Sequence, residues 1–254
     1  MREARRIRQI RNKAYTGTRG TERKKFCLTY RETLTRIWAK NNEAFLSELA
    51  LKGEKISCTK GCGYCCFQHI TTPVAHAIAI VDYLYSKDEA ISRFISNYKP
   101  WRKAAEDLSK EIDAVYNSAI DPSQSLSSAQ AYGEALSCKY LSLQIPCPFL
   151  VKSACDIYDV RPIGCAAHCS VSPPEWCAPT DSHNLHTYEA MPSNSDLHEL
   201  VKLAPRRLSV YHVTLPTMVY RLLTEDLSDI LIEIDKQFPV ETEADERIVD
   251  IGNI

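Results

Sequence analysis

The sequence predicts a mainly α protein: one helical domain with two irregular cysteine-rich loop segments that form a metal site. Three observations lead there. Apolar residues recur at helical spacing over several long stretches. Strands and helices do not alternate anywhere, which argues against a parallel sheet or a barrel. The 11 cysteines concentrate in two segments rich in turn formers.

From residue 22 to 51, Phe26, Tyr30, Leu34, Ile37, Trp38, Phe45, Leu46 and Leu49 keep helical spacing on one face. A long amphipathic helix therefore leads into the first cysteine segment. Beyond it, Thr72 and Pro73 suit an N-cap and a first helical position, opening a helix to about Tyr85. Trp101, Ala105, Leu108, Ile112, Val115 and Tyr116 mark the next helix, closed by Asp121-Pro122. Ser125 to Cys138 reads as a short helix. "LQIPCPFLVKSACDIYDVRPIGC" is rich in Pro with short β-branched patches and reads as a hairpin or irregular loops. Residues 170 to 197 have no period and many turn formers, as expected of a long surface excursion. Tyr220, Leu223, Leu227, Ile230, Leu231 and Ile234 mark a C-terminal helix. The expected division is a basic N-terminal arm (1–20), a single helical cysteine-cluster domain (21–240) and an acidic C-terminal tail (241–254).

With 254 residues, 44% of them hydrophobic, the chain can bury a core without crosslinks. Its 31 basic and 32 acidic residues balance, so nucleic acid is an unfavoured partner. The ends are asymmetric: residues 1–25 hold ten Lys and Arg, and residues 225–250 hold ten acids. These read as two solvated ends that attract one another, with a basic arm for an acidic partner or nucleic acid as the less favoured reading. "MREARRIRQIRNK" lacks the apolar core of a secretory signal, and "TPVAHAIAIVDYLY" is too short to span a bilayer. The expectation is a cytoplasmic protein without a transmembrane helix. In a reducing compartment dense cysteines serve as metal ligands or redox groups more often than as disulfides, and an odd count agrees.

In "ISCTKGCGYCCF", Cys58, Cys62, Cys65 and Cys66 have the spacing C-x3-C-x2-C-C. Four thiolates this close repel one another unless a bound cation compensates them. Gly61 and Gly63 would allow positive φ and turn backbone N–H groups toward sulfur. The adjacent pair Cys65 and Cys66 fits one tetrahedral zinc poorly, because successive side chains diverge, so polynuclear binding gains weight. Cys147, Cys155 and Cys165 supply the second half of the site from later loops. Pro148 and Pro162 stiffen those loops, and Arg161 can donate to a thiolate, a loop carbonyl or a substrate carboxylate. Cys27 and Cys138, isolated at helical positions, read as small buried hydrophobes. His69 and His76 are expected beside the cluster without touching metal. His168, Cys169 and Cys177 stay open, as further ligands or as loop residues.

"CTKGCGYCC", with "CPFL", "CDIY" and "RPIGC" downstream, resembles the YkgJ-type cysteine-cluster family, described as a zinc- or iron-chelating domain with a CxxCxxCC signature. The resemblance covers about 58 to 165. It implies metal binding by Cys58, Cys62, Cys65, Cys66, Cys147, Cys155 and Cys165. That family includes the flagellin lysine N-methylase, which implies an iron-sulfur cluster, S-adenosylmethionine as a second cofactor and a protein as substrate. Two departures stand out: the first spacing is x3 rather than x2, and Ala166 replaces the Arg that often follows the last cysteine. "CTKGCGYC" also satisfies the C-x3-C-x-aromatic-C fingerprint of radical S-adenosylmethionine enzymes, with Tyr64 as the aromatic. Those enzymes place the motif in a β/α barrel, which the patterning here does not supply.

The leading expectation is therefore a metal-binding cysteine-cluster protein holding an iron-sulfur cluster, or iron or zinc ions, with oxidoreductase or protein-lysine methyltransferase activity implied by the resemblance. A non-enzymatic protein with structural or carried zinc is the second reading, and a disulfide-bonded exported protein the third. No phosphate-cradling Gly-rich loop and no Ser-His-Asp or paired-carboxylate arrangement is legible, so no catalytic residue is assigned.

Overall fold

The most apolar stretch of the chain forms its central helix. In the computed structural model, which describes residues 2–118, 126–178 and 182–237, α3 (Val74–Tyr85) buries every side chain from Val74 to Val81, and Leu84 and Tyr85 as well. Around it pack α2 (Gly17–Leu51), α4 (Asp88–Ser118), α8 (Arg206–Val210) and α9 (Leu215–Thr224). The molecule is mainly helical, with ten α-helices among the described residues.

Helix α2 follows the expected stripe over its first half, burying Phe26, Tyr30, Leu34 and Ile37. Each such side chain contributes about 1.5–3 kcal/mol when fully removed from water. Its second half keeps Leu49 buried and packs Phe45 edge-on against Tyr188, but Leu46 is 51% exposed, and polar contacts join. Lys40 Nζ lies 2.8 Å from Asp196 Oδ1, Arg36 pairs with Glu199, and Asn41 donates to the Ala190 carbonyl at 2.7 Å. Both acids belong to α7 (Asn194–Val201), whose N-cap Ser193 accepts from Asp196 N–H.

Within the basic stretch 1–20, Arg2–Ala14 forms α1, which docks on α9. Ile7 enters the core, Arg6 donates to the Thr224 carbonyl, and Lys13 pairs with Asp226. The basic end thus meets acids near the other end of the described chain. The elbow between α1 and α2 is tight: a Cβ on Gly20 would lie 2.2 Å from the carbonyl carbon of Tyr15. The acidic tail 241–254 and the Asp121-Pro122 stop lie outside the described residues.

Helix α4 begins at Asp88 and runs through Pro100. Asp88 and Glu89 in its first turn complement the helix dipole. It packs against α5 (Leu126–Ser142), where Trp101 Nε1–H donates to the Tyr140 hydroxyl at 2.7 Å.

Three two-stranded antiparallel ribbons complete the described chain. β1 (Thr71–Pro73) pairs with β6 (His212–Thr214), β2 (Leu150–Val151) with β3 (Ala154–Cys155), and β4 (His168–Ser170) with β5 (Thr187–Glu189). Three sequence expectations need correction. Thr72 is not the N-cap of α3: it lies in β1 opposite Val213, and the helix begins at Val74 with Pro73 in the capping place, because a residue before Pro is biased to extended backbone. The C-terminal helix is two helices, α9 and α10 (Leu227–Gln237), separated where Glu225 turns extended and Asp226 accepts from Ser228 N–H at 3.0 Å. The stretch 170–197 is more than a surface excursion: it holds β5 and the start of α7, and it buries Ser170, Ser172 and Asp196. Its turn formers mark the ends of short elements.

Among the described residues no helix is long and apolar enough to cross a membrane.

Candidate metal centre

The first cysteine segment leaves α2 and is tied at once to β4. Ser57 N–H donates to the Ser170 carbonyl at 2.9 Å, and Ser170 N–H donates to Cys58 Sγ at 3.2 Å. A turn follows in which Cys62 N–H reaches the Thr59 carbonyl at 2.9 Å, with Gly61 at φ +100°. That conformation suits glycine. Gly63 differs from expectation, since its φ is −110°. It is small for another reason. A Cβ there would lie 2.8 Å from Leu150 Cδ1 and 3.2 Å from the Ser153 carbonyl oxygen. From Gly63 the chain enters a single 3-10 turn, Tyr64–Phe67, that carries Cys65 and Cys66.

The second segment comes up against this turn. Cys147 N–H donates to the Cys66 carbonyl at 2.7 Å, and Leu150 N–H then bonds the Cys147 carbonyl at 2.9 Å. The β2–β3 hairpin turns at Lys152 and Ser153, with φ of 49° and 65°. Two positive φ values are what a right-twisted two-residue hairpin needs, although neither residue is Asn or Gly. Cys155 stands opposite Leu150 in the ladder. Ile157 and Val160 anchor the next turn in the core, and Pro162 opens the short helix α6 (Ile163–Ala167) that carries Cys165.

Burial and mutual charge dominate the thiols. Burial pushes Cys147 up to about 12 and Cys155 up to about 11, and it pushes Cys165 well above an ordinary thiol. Each also feels negative charge from others in the group: Cys147 from Cys155 and Cys65, and Cys165 from Cys147, Cys155 and Cys65. Cys65 and Cys66 share a proton between their thiols, which favours the thiolate on one of the pair, assigned to Cys65, and pushes the other far up. His168 and Arg161 favour the Cys65 thiolate further, against the effect of its burial. Cys58 is raised by burial, against the Ser170 N–H bond, and it feels Cys62, Cys65 and Cys177. Two neighbourhoods emerge. One contains Cys58, Cys62, Cys169 and Cys177, the other Cys66, Cys147, Cys155 and Cys165, and Cys65 belongs to both.

All eleven cysteines are free. The structure brings the seven expected ligands into one region without arranging them as a coordination shell: among the described residues no group of three or more His, Cys, Asp or Glu side chains is placed to hold a metal ion. Donor type fits a thiophilic metal, since these neighbours are thiols.

Of the residues left open, Cys177 joins the Cys58 neighbourhood through the 3-10 turn Pro174–Cys177, which packs against Tyr64–Phe67. Cys169 is buried, with its thiol 3.6 Å from the Tyr188 carbonyl. His168 donates from Nδ1 to Glu189 at 2.6 Å, while its Nε2 lies 3.4 Å from Gln68 Nε2. His69 pairs with Thr214 at 2.8 Å, and His76 Nε2–H donates to the Val160 carbonyl at 3.1 Å. Cys27 is fully buried as expected, but Cys138 is exposed. It falls on the outer side of α5. The Ser170 N–H donor to Cys58 could not be foreseen, because a backbone donor carries no residue signature.

No family model, curated protein or solved structure matches the chain.

Proposed function

We propose that this chain is a metal-binding protein related to the YkgJ-type cysteine-cluster family. In this reading Cys58, Cys62, Cys65, Cys66, Cys147, Cys155 and Cys165 hold an iron-sulfur cluster, or iron or zinc ions. The observation that carries the proposal is the bond from Cys147 N–H to the Cys66 carbonyl at 2.7 Å, which joins the two cysteine segments. Binding would draw the thiol groups from a shared neighbourhood into a shell, so folding and metal affinity are linked. Ser170 N–H favours the thiolate of Cys58, and the charges of Arg161 and His168 favour that of Cys65.

The finer reading is enzymatic and rests on the resemblance. When bound, a cluster with one iron free of protein ligands supplies a site at which S-adenosylmethionine can be activated for methyl transfer to a lysine of a protein substrate. Tyr64, between Cys62 and Cys65, is 38% exposed. We place the protein in the cytoplasm, where its free thiols would stay reduced.

Purification without oxygen, followed by iron, zinc and acid-labile sulfide analysis with Mössbauer spectra, tests the proposal. Brown protein with iron and sulfide is the expected result. Colourless protein with stoichiometric zinc would retain metal binding and remove the enzymatic reading. Metal-free protein would overturn both.

A further inference from the structure

The first cysteine segment is held at its two ends by two different partners. At its carboxyl end the Cys66 carbonyl accepts from Cys147 N–H at 2.7 Å. At its amino end the chain is tied instead to β4: the hydroxyl and the N–H of Ser57 both donate to the Ser170 carbonyl at 2.9 Å, and Ser170 N–H donates to Cys58 Sγ at 3.2 Å. Cys58 therefore lies against the strand that carries Cys169. The turn closed by Cys62 N–H on the Thr59 carbonyl folds Cys62 back toward Cys58, as the knuckles of thiolate metal sites do. Beyond β4, the 3-10 turn Pro174–Cys177 packs on Tyr64–Phe67 and returns a fourth thiol to the same side.

Mutual charge divides the thiols in the same way. The thiol charges acting on Cys58 come from Cys62, Cys65 and Cys177, and the one acting on Cys169 comes from Cys58. Those acting on Cys147 and Cys165 come from Cys65 and from the second segment. Apart from Cys27 and Cys138, nine of the 11 cysteines lie in these loops, more than the four that one iron-sulfur cluster takes.

We propose that Cys58, Cys62, Cys169 and Cys177 form a second metal site, distinct from the centre at Cys66, Cys147, Cys155 and Cys165, and that it takes one zinc ion. The proposal rests on the reading of the cysteine loops as metal-binding. Four thiols brought by two short turns and a strand suit a closed tetrahedral zinc, which leaves no position for a substrate. Cys58 is exposed, and Cys62 and Cys177 are half-buried, so these side chains have room to turn in on an ion. Ser170 N–H offsets part of the thiolate charge. Bound zinc would fasten the short elements after β4 to the loop that leaves α2.

The test counts zinc, iron and sulfide in the full chain, purified without oxygen in the presence of zinc, for the wild type, Cys58→Ser, Cys177→Ser and Cys147→Ser. Cadmium NMR after metal exchange reports the four-thiolate site separately. Cys177→Ser should lose about one zinc per chain and the cadmium resonance while the metal of the first centre stays. Cys58→Ser, at an exposed position where loss of packing is not at issue, should match it. Cys147→Ser should do the reverse, keeping this zinc and losing the first metal. Full zinc in Cys177→Ser, or loss of both metals together in Cys177→Ser and Cys58→Ser, would overturn the second site and leave metal binding by the loops intact. Metal-free wild type would overturn both.

Discussion

Gly63 joins the two halves of the candidate centre by having no side chain. A methyl group there meets the Leu150 methyl at 2.8 Å and the Ser153 carbonyl at 3.2 Å. The methyl can yield but the hairpin backbone yields less easily, so Gly63→Ala should cost about 1–3 kcal/mol in urea unfolding and should loosen metal binding. An unchanged midpoint would show that the hairpin does not press on this turn. His76 carries a second prediction. Burial holds it down at about 4, below its ordinary 6.5. A depressed folded value contributes stability that is present above the unfolded value and lost as pH falls, so the window is pH 6.5 to 4. At pH 5 one such histidine removes about 2 kcal/mol relative to pH 7. His76→Gln keeps a donor for Val160 and cannot titrate, so its urea midpoint should fall less between pH 7 and pH 5 than that of the wild type. Equal falls would contradict the assignment. At this scale the sequence was half legible. The cysteines and Gly61 stood out by type and spacing, but the reason for Gly63 is a close approach by a distant segment, which local sequence does not encode.

Among the elements, long helices were read well and short ones poorly. Helices α2, α3 and the second half of α4 repeat their apolar residues over enough turns to show a period. Helices α6 and α8, each of 5 residues, are too short to show one, and the ribbons have strands of 2 or 3 residues. Thr72 looked like a cap because Thr-Pro suits a helix start, yet pairing with Val213 decided its conformation. The break between α9 and α10 was hidden because Tyr220, Leu223, Leu227 and Ile230 keep helical spacing across it. The elbow between α1 and α2 offers a test in which the sign is informative. In a helix, Gly→Ala ordinarily stabilises by up to about 1 kcal/mol. At Gly20 the new Cβ would lie 2.2 Å from backbone of Tyr15, so Gly20→Ala should instead destabilise by about 3 kcal/mol. A raised melting temperature would mean that α1 does not fold back on α2 in this way.

Across the whole molecule, one helical core presents two loop systems to each other. The core is organised around α3, and it fixes the cysteine loops through residues such as Ile157, Val160 and Phe149, all buried. The sequence indicated that seven cysteines belong together and left open what lay between them. The contacts that gather them are backbone bonds and a glycine contact, none of which has a pattern of its own. Cys177 could not be ranked for the same reason, since its approach to Cys58 depends on how the 3-10 turn Pro174–Cys177 packs. The central claim is that both cysteine segments build one site. It is tested most directly by metal bound per folded chain, after purification without oxygen, in Cys66→Ser, Cys147→Ser and the exposed control Cys138→Ser. The account predicts loss of metal in the first two and full metal in the third; full metal in Cys147→Ser would contradict it.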